Sequence, residues 1–323
     1  MLININLNGY KFLTWGKLVQ IGVIGLGRMG AAIVERLCAR DSRDYRVLVY
    51  DLDPIAVKTV EKFGAISTVS IDQLVTQVDI IWLMVPAGNL IDQILAQILP
   101  VLKSKTGAII IDGGNSNFHD SIKRAKVCAE QQVSFLDCGT SGGLHGRDLG
   151  FCLMVGGDQV AYAKIEKYLA AIAIPKGYAL VGPSGAGHYV KMVHNGIEYA
   201  LLQAYAEGFD LLRNNNNYLE LDLAQVAGLW QHGSIIRSWL LELTQQILKK
   251  DQELKNISGQ IGGGSTGSWT VTEAQEQNIS VPLIKLSLEL RAQSQQDLGQ
   301  HSFTNKLVSL LRHQFGGHSY EKL

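Results

Sequence analysis

The stretch Ile21-Gly22-Val23-Ile24-Gly25-Leu26-Gly27-Arg28-Met29-Gly30 decides the fold that this sequence predicts. It begins as a short apolar strand, continues as a Gly-x-Gly-x-x-Gly turn, and leads into a helical run at 31–39. A second apolar strand, 45–50, ends at Asp51, which lies 21 residues after Gly30. A glycine turn between strand and helix, followed by an acidic residue at this spacing, is typical of a dinucleotide-binding βαβ unit.

Each residue of this pattern has a physical reason for its place. Gly25 permits the tight turn, Gly27 lets a pyrophosphate approach the backbone, and Gly30 lets the helix pack closely on the strand. The helix N-terminus attracts phosphates, and the Asp51 carboxylate accepts hydrogen bonds from an adenosine ribose. Because that carboxylate repels a 2′-phosphate and Leu52 supplies no arginine, the pattern predicts NAD rather than NADP. A glycine turn without a ligand is the alternative.

Alternating strands and helices continue to Gly182, and helices alone follow. Predicted strands lie at 79–85, 108–112, 133–138, 151–155 and 178–181, and predicted helices lie at 54–63, 89–99, 121–132 and 161–172. Further helices are predicted at 185–212, 223–229, 235–249, 282–293 and 303–312, with a glycine-rich loop at 262–268. The fold class is therefore an α/β Rossmann-like doubly wound parallel sheet followed by an all-α C-terminal domain. We expect a loosely ordered extension at 1–18, an NAD-binding domain at 19–182, and a helical substrate and oligomerisation domain at 183–323.

The amino-acid composition argues against several classes of protein. The 323 residues carry a formal net charge of zero, so no basic excess indicates nucleic acid as a partner. No apolar run reaches the ~20 residues that a membrane span needs, and residues 1–18 lack the pattern of a signal peptide. The four cysteines form no Cys-x-x-Cys pair and indicate buried thiols in a reducing compartment. We expect a cytoplasmic protein that uses no metal.

The predicted helix 185–212 carries the second functional signal. Most of its residues are apolar, so we expect it to be buried nearly all round. Lys191, Asn195 and Glu198 nevertheless recur at i, i+4 and i+7, with His194 and Tyr199 beside them. This spacing puts a cation, an amide and a carboxylate on one helix face. A structural Lys–Glu pair is the alternative to a catalytic site, since ion-pair networks also perturb pKa values.

Two loops rich in small polar residues follow predicted strands. One is Gly113-Gly114-Asn115-Ser116 and the other is Gly139-Thr140-Ser141-Gly142-Gly143. Ligands of open parallel sheets bind beyond the carboxyl ends of the strands, and free backbone N–H groups there suit a carboxylate or a phosphate. Two ordinary glycine turns remain the alternative.

Several segments together resemble the decarboxylating 6-phosphogluconate dehydrogenase family, in its compact and often NAD-using branch. The resemblance covers about residues 20–320 and is most specific in the two loops above, in 185–199, and in Ile235-Ile-Arg-Ser-Trp, Ser268-Trp-Thr and Phe315-Gly-Gly-His. It implies that a nicotinamide cofactor takes a hydride from C3 of 6-phosphogluconate. The resulting β-keto acid then loses CO2 and gives ribulose 5-phosphate.

The resemblance also implies roles for individual residues. Lys191 matches the general base, and Glu198 matches the acid that protonates C1 after decarboxylation. The implied substrate-binding residues are Asn115, Ser141, Gly142, Gly143, His194, Asn195, Tyr199, Thr270, Arg291, Arg312 and His318. The implied cofactor-binding residues are Gly25, Leu26, Gly27, Arg28, Met29, Gly30, Asp51, Val85 and Asn115. In the family the tail that carries Arg312 and His318 enters the neighbouring subunit, so we expect a homodimer or homotetramer.

The sequence departs from the family pattern at Ser268, where the family usually has a basic residue. Without the resemblance, His318 is a loose end, Arg291 a solvated helix charge, and Tyr199 a core aromatic residue. One alternative function is a 3-hydroxyisobutyrate-type dehydrogenase, which shares the Lys191–Asn195 spacing and a Ser-Gly-Gly loop. Another is a non-catalytic NAD-binding sensor.

Overall fold

The computed structural model describes residues 19–39, 45–218, 221–262, 266–296 and 301–323. The extension expected at 1–18 lies outside the described residues. The described residues form one eight-stranded sheet with helices on both faces, followed by a group of packed helices.

The sheet has the strand order β3-β2-β1-β4-β5-β6-β7-β8. Its strands are β1 (Val19–Ile24), β2 (Tyr45–Tyr50), β3 (Ile66–Ser67), β4 (Ile80–Leu83), β5 (Ile109–Asp112), β6 (Ser134–Ser141), β7 (Phe151–Gly156) and β8 (Ala173–Gly182). The predicted Rossmann-like class is confirmed, with one correction: β6 and β7 are antiparallel, whereas the other neighbours in the sheet are parallel. The connection 142–150 is shorter than the dozen or so residues that a parallel crossover needs, so the chain reverses direction instead.

Helices cover both faces of the sheet. They are α1 (Arg28–Ala39), α2 (Pro54–Glu61), α3 (Ile71–Gln77), α4 (Asn89–Leu102), α5 (Phe118–Glu130), α6 (Gly146–Leu149) and α7 (Gln159–Ile172). One apolar core forms beneath α1 and α7, and a second forms beneath α3 and α4. The sequence predicted neither β3 nor α3, because a two-residue exposed strand and a seven-residue helix show too little periodicity.

The C-terminal part is helical, as predicted. Its helices are α8 (Ala186–Arg213), α9 (Leu223–Trp230), α10 (Trp239–Leu248), α11 (Thr266–Glu276), α12 (Pro282–Gln293) and α13 (Phe303–Gly316). Helices α8, α9, α10 and α13 share a third apolar core. Helix α10 begins later than predicted because Ser238 caps it and accepts a hydrogen bond from the Leu241 N–H. Part of the loop predicted at 262–268 is helical, since α11 begins at Thr266. No helix of the described residues combines the length and apolarity needed to cross a bilayer.

The cysteine expectation holds only in part. Cys128 and Cys138 are buried and Cys38 is half-buried, whereas Cys152 is exposed. Side chains alternate between the two faces of a strand, so Cys152 faces away from the core that its neighbours Phe151 and Leu153 fill. All four thiols are free.

The N-terminal part of helix α8 packs against the sheet. The buried Asp137 carboxylate on β6 accepts hydrogen bonds from the backbone N–H groups of Gly185 (2.6 Å) and His188 (2.8 Å). It thereby satisfies N–H groups that a helix N-terminus leaves free. A Cβ at Gly139 would lie only 2.4 Å from the Lys191 Cβ, so this glycine allows the close contact between β6 and α8.

The expectation that α8 is buried nearly all round is wrong. The apolar side chains Val190, Ile197, Leu201 and Leu211 are exposed. Ile197 and Leu201 line a cleft beside the helix. A helix with apolar residues on every face can therefore pack one face into the core and line a ligand cleft with another.

Candidate active site

A cleft of about 1500 Å³ lies between the carboxyl edge of the sheet and helices α8, α10 and α13. The glycine turn after β1 lines one end, and Lys191 and Glu198 of α8 line the other. Ligands of doubly wound sheets bind where the strand order reverses, which here is between β1 and β4. The volume exceeds that of a typical single drug-sized pocket and suits a dinucleotide with a small second ligand.

The glycine turn has the geometry of a dinucleotide site. Gly25 has φ of 95°, and a Cβ at Gly30 would lie 2.1 Å from the Gly25 carbonyl oxygen. A Cβ at Gly27 would meet nothing within 4 Å and would project into space that the cleft occupies. The N-terminus of α1 follows directly at Arg28. These features fit the pyrophosphate of NAD, because backbone N–H groups and the helix dipole both favour an anion there.

Asp51 lies at the outer end of this turn. Its Oδ2 accepts a hydrogen bond from the Leu26 N–H (2.5 Å), and its Oδ1 accepts one from the Asp53 N–H (2.8 Å). These two contacts fix the carboxylate beside the cleft, next to Leu52, which is 88% exposed. The side chain at position 52 therefore has room for substitution, whereas the orientation of Asp51 is set by the backbone.

Asn115 lines the cleft from a loop that a buried ion pair supports. The fully buried Asp112 accepts hydrogen bonds from the Gly114 N–H (3.1 Å) and the Ser116 hydroxyl (2.8 Å). The guanidinium of Arg124 lies 3.6 Å from the same carboxylate. The sequence did not predict the Asp112–Arg124 ion pair, because Arg124 looks like an ordinary polar residue of a surface helix.

The polar stripe predicted on α8 forms a connected group. The Lys191 Nζ lies 3.3 Å from the His194 Nδ1, which lies 3.1 Å from the Asn195 Oδ1 and 3.9 Å from a Glu198 carboxylate oxygen. The opposite ring nitrogen of His194 lies 3.3 Å from the Ser141 hydroxyl. All five residues line the cleft. The structure thus brings the predicted base, acid and hydroxyl ligands together with the Ser-Gly-Gly loop.

Burial shifts the pKa values of this group towards neutral forms. Desolvation lowers the pKa of Lys191, against the opposing attraction of Glu198. Desolvation raises the pKa of Glu198, against the attraction of Lys191, Arg312 and Arg291. The pKa of His194 is lowered by desolvation and by the neighbouring Lys191. An amine and a carboxyl group with oppositely shifted pKa values suit a base and an acid in one site.

Two arginines lie near Tyr199, in the middle of α8. Arg312 is 95% buried and lines the cleft, and burial together with nearby Arg291 lowers its pKa to about 10. The Arg291 guanidinium lies 4.8 Å from the ring centre of Tyr199, which also lines the cleft. A buried guanidinium group in the lining, with a second one behind the neighbouring phenol ring, suits an anion such as phosphate.

Two predicted phosphate contacts lie elsewhere. The buried Thr270 hydroxyl donates to the Met192 carbonyl oxygen (2.9 Å), and Thr270 lies outside the cleft lining. Thr266, one turn earlier on α11, lines the cleft instead. Arg291 also lies outside the lining, behind Tyr199, and donates to the Gly262 carbonyl oxygen. Ser268, where a basic residue is usual in the family, is exposed on α11.

The C-terminal turn lies in the cleft of its own chain. Arg312 and His318 line the same cleft as Lys191. Within this chain the tail therefore lies against its own cleft, whereas the family resemblance implies that it enters a neighbouring subunit. Burial and the charges of Arg312, Arg291 and Arg28 lower the pKa of His318 to about 4, so its imidazole is neutral at neutral pH.

Sequence reasoning missed much of the cleft wall. The lining residues that the sequence did not predict are Ile24, Tyr50, Ser70, Ile71, Met84, Pro86, Ala87, Leu90, Gln93, Ile94, Gln97, Ile197, Leu201, Trp239, Leu240, Thr266, Phe315 and Gly316. Gly113, Gly114 and Thr140 also line the cleft, within the two loops predicted to bind a ligand. Residues 84–87 follow the carboxyl end of β4, and Leu90, Gln93, Ile94 and Gln97 recur at helical spacing on α4. The position of 84–87 after a buried strand and the helical spacing of the α4 residues could both be recognised in the sequence. The other residues become neighbours of the site only through the fold.

The fold and the cleft place the chain among the nicotinamide-dependent dehydrogenases with a helical second part. A family model described as the NAD binding domain of 6-phosphogluconate dehydrogenase matches residues 20–182. A model of the 6-phosphogluconate dehydrogenase C-terminal domain matches residues 187–322. The chain belongs to the 6-phosphogluconate dehydrogenase family.

Individual relatives agree with this family. The chain is 45% identical to an NAD(+)-dependent, decarboxylating 6-phosphogluconate dehydrogenase of Haloferax volcanii, over 93% of this chain and 98% of that protein. It is 30% identical to the 6-phosphogluconate dehydrogenase structure of Plasmodium falciparum, with a TM-score of 0.76, over 85% of this chain and 62% of that one. A 3-hydroxyisobutyrate dehydrogenase of Mycobacterium tuberculosis shares the fold, with a TM-score of 0.70 at 19% identity over 91% of this chain and 99% of that one.

Proposed function

We propose that this protein is an NAD-dependent, decarboxylating 6-phosphogluconate dehydrogenase. It converts 6-phosphogluconate to ribulose 5-phosphate and CO2 and reduces NAD. The observation that carries this proposal is the pairing of Lys191 and Glu198 on one face of α8, with oppositely shifted pKa values. Oxidation followed by decarboxylation needs both a base and an acid in one site.

The substrate lies along α8 in this proposal. Its phosphate binds at Arg312 and Tyr199, with Arg291 adding positive charge from behind the ring. Its carboxylate binds at Ser141 and the glycine backbone that follows. His194 and Asn195 contact the hydroxyl groups between these two ends. A substrate held at both ends presents C3 to Lys191 and to the dinucleotide end of the cleft.

Lys191 acts in the oxidation step. NAD held at the glycine turn and Asp51 would supply the acceptor for the hydride of C3. The neutral Lys191 amine takes the C3 hydroxyl proton. The low pKa of Lys191 favours the unprotonated amine that this step requires. The ammonium group then donates a hydrogen bond to the new ketone oxygen and polarises it.

Glu198 acts after decarboxylation. The bond from the carboxylate carbon to C2 breaks, CO2 leaves, and its electron pair forms the C2–C3 double bond. The Lys191 ammonium gives its proton to the C3 oxygen, which forms an enediol and restores the neutral amine. The protonated Glu198 carboxyl donates its proton to the carbon that becomes C1 of the product, and Lys191 accepts the enediol hydroxyl proton. The raised pKa of Glu198 keeps this proton available.

Product analysis tests the proposal. Purified protein should form NADH and CO2 in equal amounts from 6-phosphogluconate and NAD. Oxidation of 3-hydroxyisobutyrate without CO2 would favour the related dehydrogenase that shares the fold. NADH binding without turnover of either substrate would favour an NAD sensor. Either of these outcomes would overturn the assignment.

The assembly and the division into domains belong to the same proposal. We propose an NAD-binding domain at 19–182, a helical domain at 183–323, and a homodimer or homotetramer in the cytoplasm. Exposed apolar side chains of the helical part support self-association, among them Leu229, Ile235, Leu283 and Leu286. Light scattering coupled to size-exclusion chromatography measures the assembly, and a monomer at micromolar concentration would contradict it.

A further inference from the structure

Arg28 joins the two ends of the chain. It is the first residue of α1, within the glycine turn, and its Nη1 donates a hydrogen bond to the Gly317 carbonyl oxygen at 2.5 Å. Gly317 follows α13 and lies next to His318, which lines the substrate end of the cleft. The dinucleotide turn and the C-terminal turn are thus in direct contact across 289 positions of sequence.

The C-terminal turn is shaped for this contact. Gly317 caps α13 with φ of 60°, and a Cβ there would lie 2.2 Å from the Arg28 Nη1. On the opposite side, a Cβ at Gly143 would lie 1.9 Å from the Phe315 carbonyl oxygen. Two glycines therefore let the turn fit between Arg28 and the Ser-Gly-Gly loop. A Cβ at Gly143 would collide with backbone, and a Cβ at Gly317 would displace the Arg28 guanidinium from its present position.

The position of Arg28 at the start of α1 indicates that this residue does something other than stabilise the helix. A cation in the first turn of α1 opposes the helix dipole, which favours negative charge at that end. Arg28 is exposed, so burial of apolar area does not explain it either. The hydrogen bond to Gly317 and the positive potential near His318 are the two effects that its side chain has on the cleft.

We infer that Arg28 is a positioning residue, which holds the C-terminal turn so that His318 faces the substrate and which couples the dinucleotide turn to the substrate end. This inference rests on the proposed function, because it takes 6-phosphogluconate as the ligand of that end. NAD bound at the glycine turn restrains Arg28, and Arg28 restrains the tail. Substrate therefore binds more tightly when NAD is present, and the tail is the connection.

Two variants test the Arg28–Gly317 hydrogen bond, one by changing the donor and one by changing the acceptor residue. Arg28→Met removes the donor and keeps most of the side-chain length, whereas Gly317→Ala displaces the same contact without changing the dinucleotide turn. Arg36→Met is the matched control, since Arg36 lies on the same helix and also donates to a backbone carbonyl, that of Ile172 (2.7 Å), away from the cleft. Calorimetry measures the Kd of 6-phosphogluconate without and with NADH, and fluorescence measures the Kd of NADH.

Both cleft variants should raise the Kd of 6-phosphogluconate about three- to tenfold, as expected for one solvent-accessible hydrogen bond from a charged group. They should also reduce the factor by which NADH lowers the Kd of 6-phosphogluconate. Arg36→Met should change neither this Kd nor this factor. In a His318→Ala background, Arg28→Met should add less than twofold if it acts through the tail. The KM should follow the Kd, and kcat should change less.

Two results would overturn the inference. An unchanged substrate Kd in both cleft variants would show that the contact has no effect on the substrate end. A raised NADH Kd in Arg28→Met, with a normal substrate Kd in Gly317→Ala, would make Arg28 a cofactor ligand instead. Failure of the proposed function is a separate outcome, because wild-type protein would then neither bind nor turn over 6-phosphogluconate.

Discussion

The Nδ1 of His194 lies between the two proposed proton-transfer groups, 3.3 Å from the Lys191 Nζ and 3.9 Å from a Glu198 carboxylate oxygen. The pKa of His194 is lowered by burial and by Lys191, so the ring between them is neutral at neutral pH. A neutral ring can accept from a lysine ammonium or donate to a carboxylate, according to its tautomer. The arrangement keeps the base and the acid apart while both contact one hydrogen-bonding group.

Removing either proton-transfer group should stop turnover without loss of cofactor binding. Lys191→Met and Glu198→Gln should each lower kcat by at least ~10²-fold, the scale of general acid–base catalysis. The NADH Kd should remain within about twofold, since the glycine turn lies at the other end of the cleft. Steady-state kinetics and fluorescence titration check the two parts. Normal kcat in either variant would remove that residue from the proposed mechanism.

Glu198 should also lower stability at alkaline pH. Burial raises its pKa, so between the ordinary value of 4.5 and the raised value the folded protein retains a proton that the unfolded chain has lost. The free energy of unfolding therefore falls as pH rises through this window. Glu198→Gln should raise Tm by about 1–3 °C near pH 8 and by less below pH 4.5.

Calorimetry over this pH range tests the effect. Glu207→Gln is the matched control, because Glu207 lies exposed on the same helix. An equal rise in Tm for both variants would mean that general charge removal, rather than burial of Glu198, is responsible.

The cofactor preference should depend on Asp51 and Leu52. Asp51 faces the cleft with its carboxylate held by two backbone N–H groups, and a 2′-phosphate would meet this negative charge. Wild-type protein should therefore have a higher kcat/KM with NAD than with NADP. The double variant Asp51→Asn, Leu52→Arg should shift the ratio towards NADP by at least about tenfold. If this double variant keeps the wild-type ratio of kcat/KM for NAD to kcat/KM for NADP, Asp51 and Leu52 do not determine the cofactor preference.

The parts of the site that lie close together in sequence could be predicted. The glycine turn and the stripe on α8 are short patterns with fixed periodicity, so spacing alone brings Lys191 and Glu198 onto one face. Asp112 and Arg124 could not be paired in this way, because their contact depends on how α5 packs against β5. A strand such as β6 also extended further than its apolar residues indicated, up to Ser141.

The position of the C-terminal turn could not be derived from the sequence for a similar reason. A sequence pattern identifies Arg312 and His318 but does not say which copy of the chain they approach. Here Gly143 and Gly317 let the turn lie against its own cleft. The direction of the tail is therefore a property of tertiary packing rather than of the local sequence.

Hybrid oligomers should show no complementation. Since Lys191 and His318 line one cleft of one chain, a Lys191→Met chain combined with a His318→Ala chain contains no intact site. Activity of purified hetero-oligomers, separated by two different affinity tags, should be no greater than the mean of the two parent variants. Recovery towards half of the wild-type activity would show that the tail is exchanged between subunits.

The phosphate end of the cleft should be sensitive to Arg312. Its guanidinium is 95% buried beside Tyr199 and Arg291, where a dianion would be held with little competing water. Loss of one hydrogen-bonding cation costs about 1.5–3 kcal/mol, so Arg312→Met should raise the KM for 6-phosphogluconate about 10- to 100-fold. Because the phosphate is remote from C3 and is bound alike in ground and transition states, kcat should change much less.

Gluconate provides the control for this last prediction, because it lacks the phosphate. Wild-type protein should use gluconate far less well than 6-phosphogluconate, and Arg312→Met should leave its kcat/KM with gluconate nearly unchanged. Arg213→Met is the matched variant, since Arg213 forms an ion pair with Glu253 (2.7 Å) outside the cleft lining. If Arg312→Met lowers kcat/KM equally for both substrates, Arg312 supports the fold of the cleft rather than the phosphate. If gluconate equals 6-phosphogluconate in wild-type protein, the substrate proposed here is wrong.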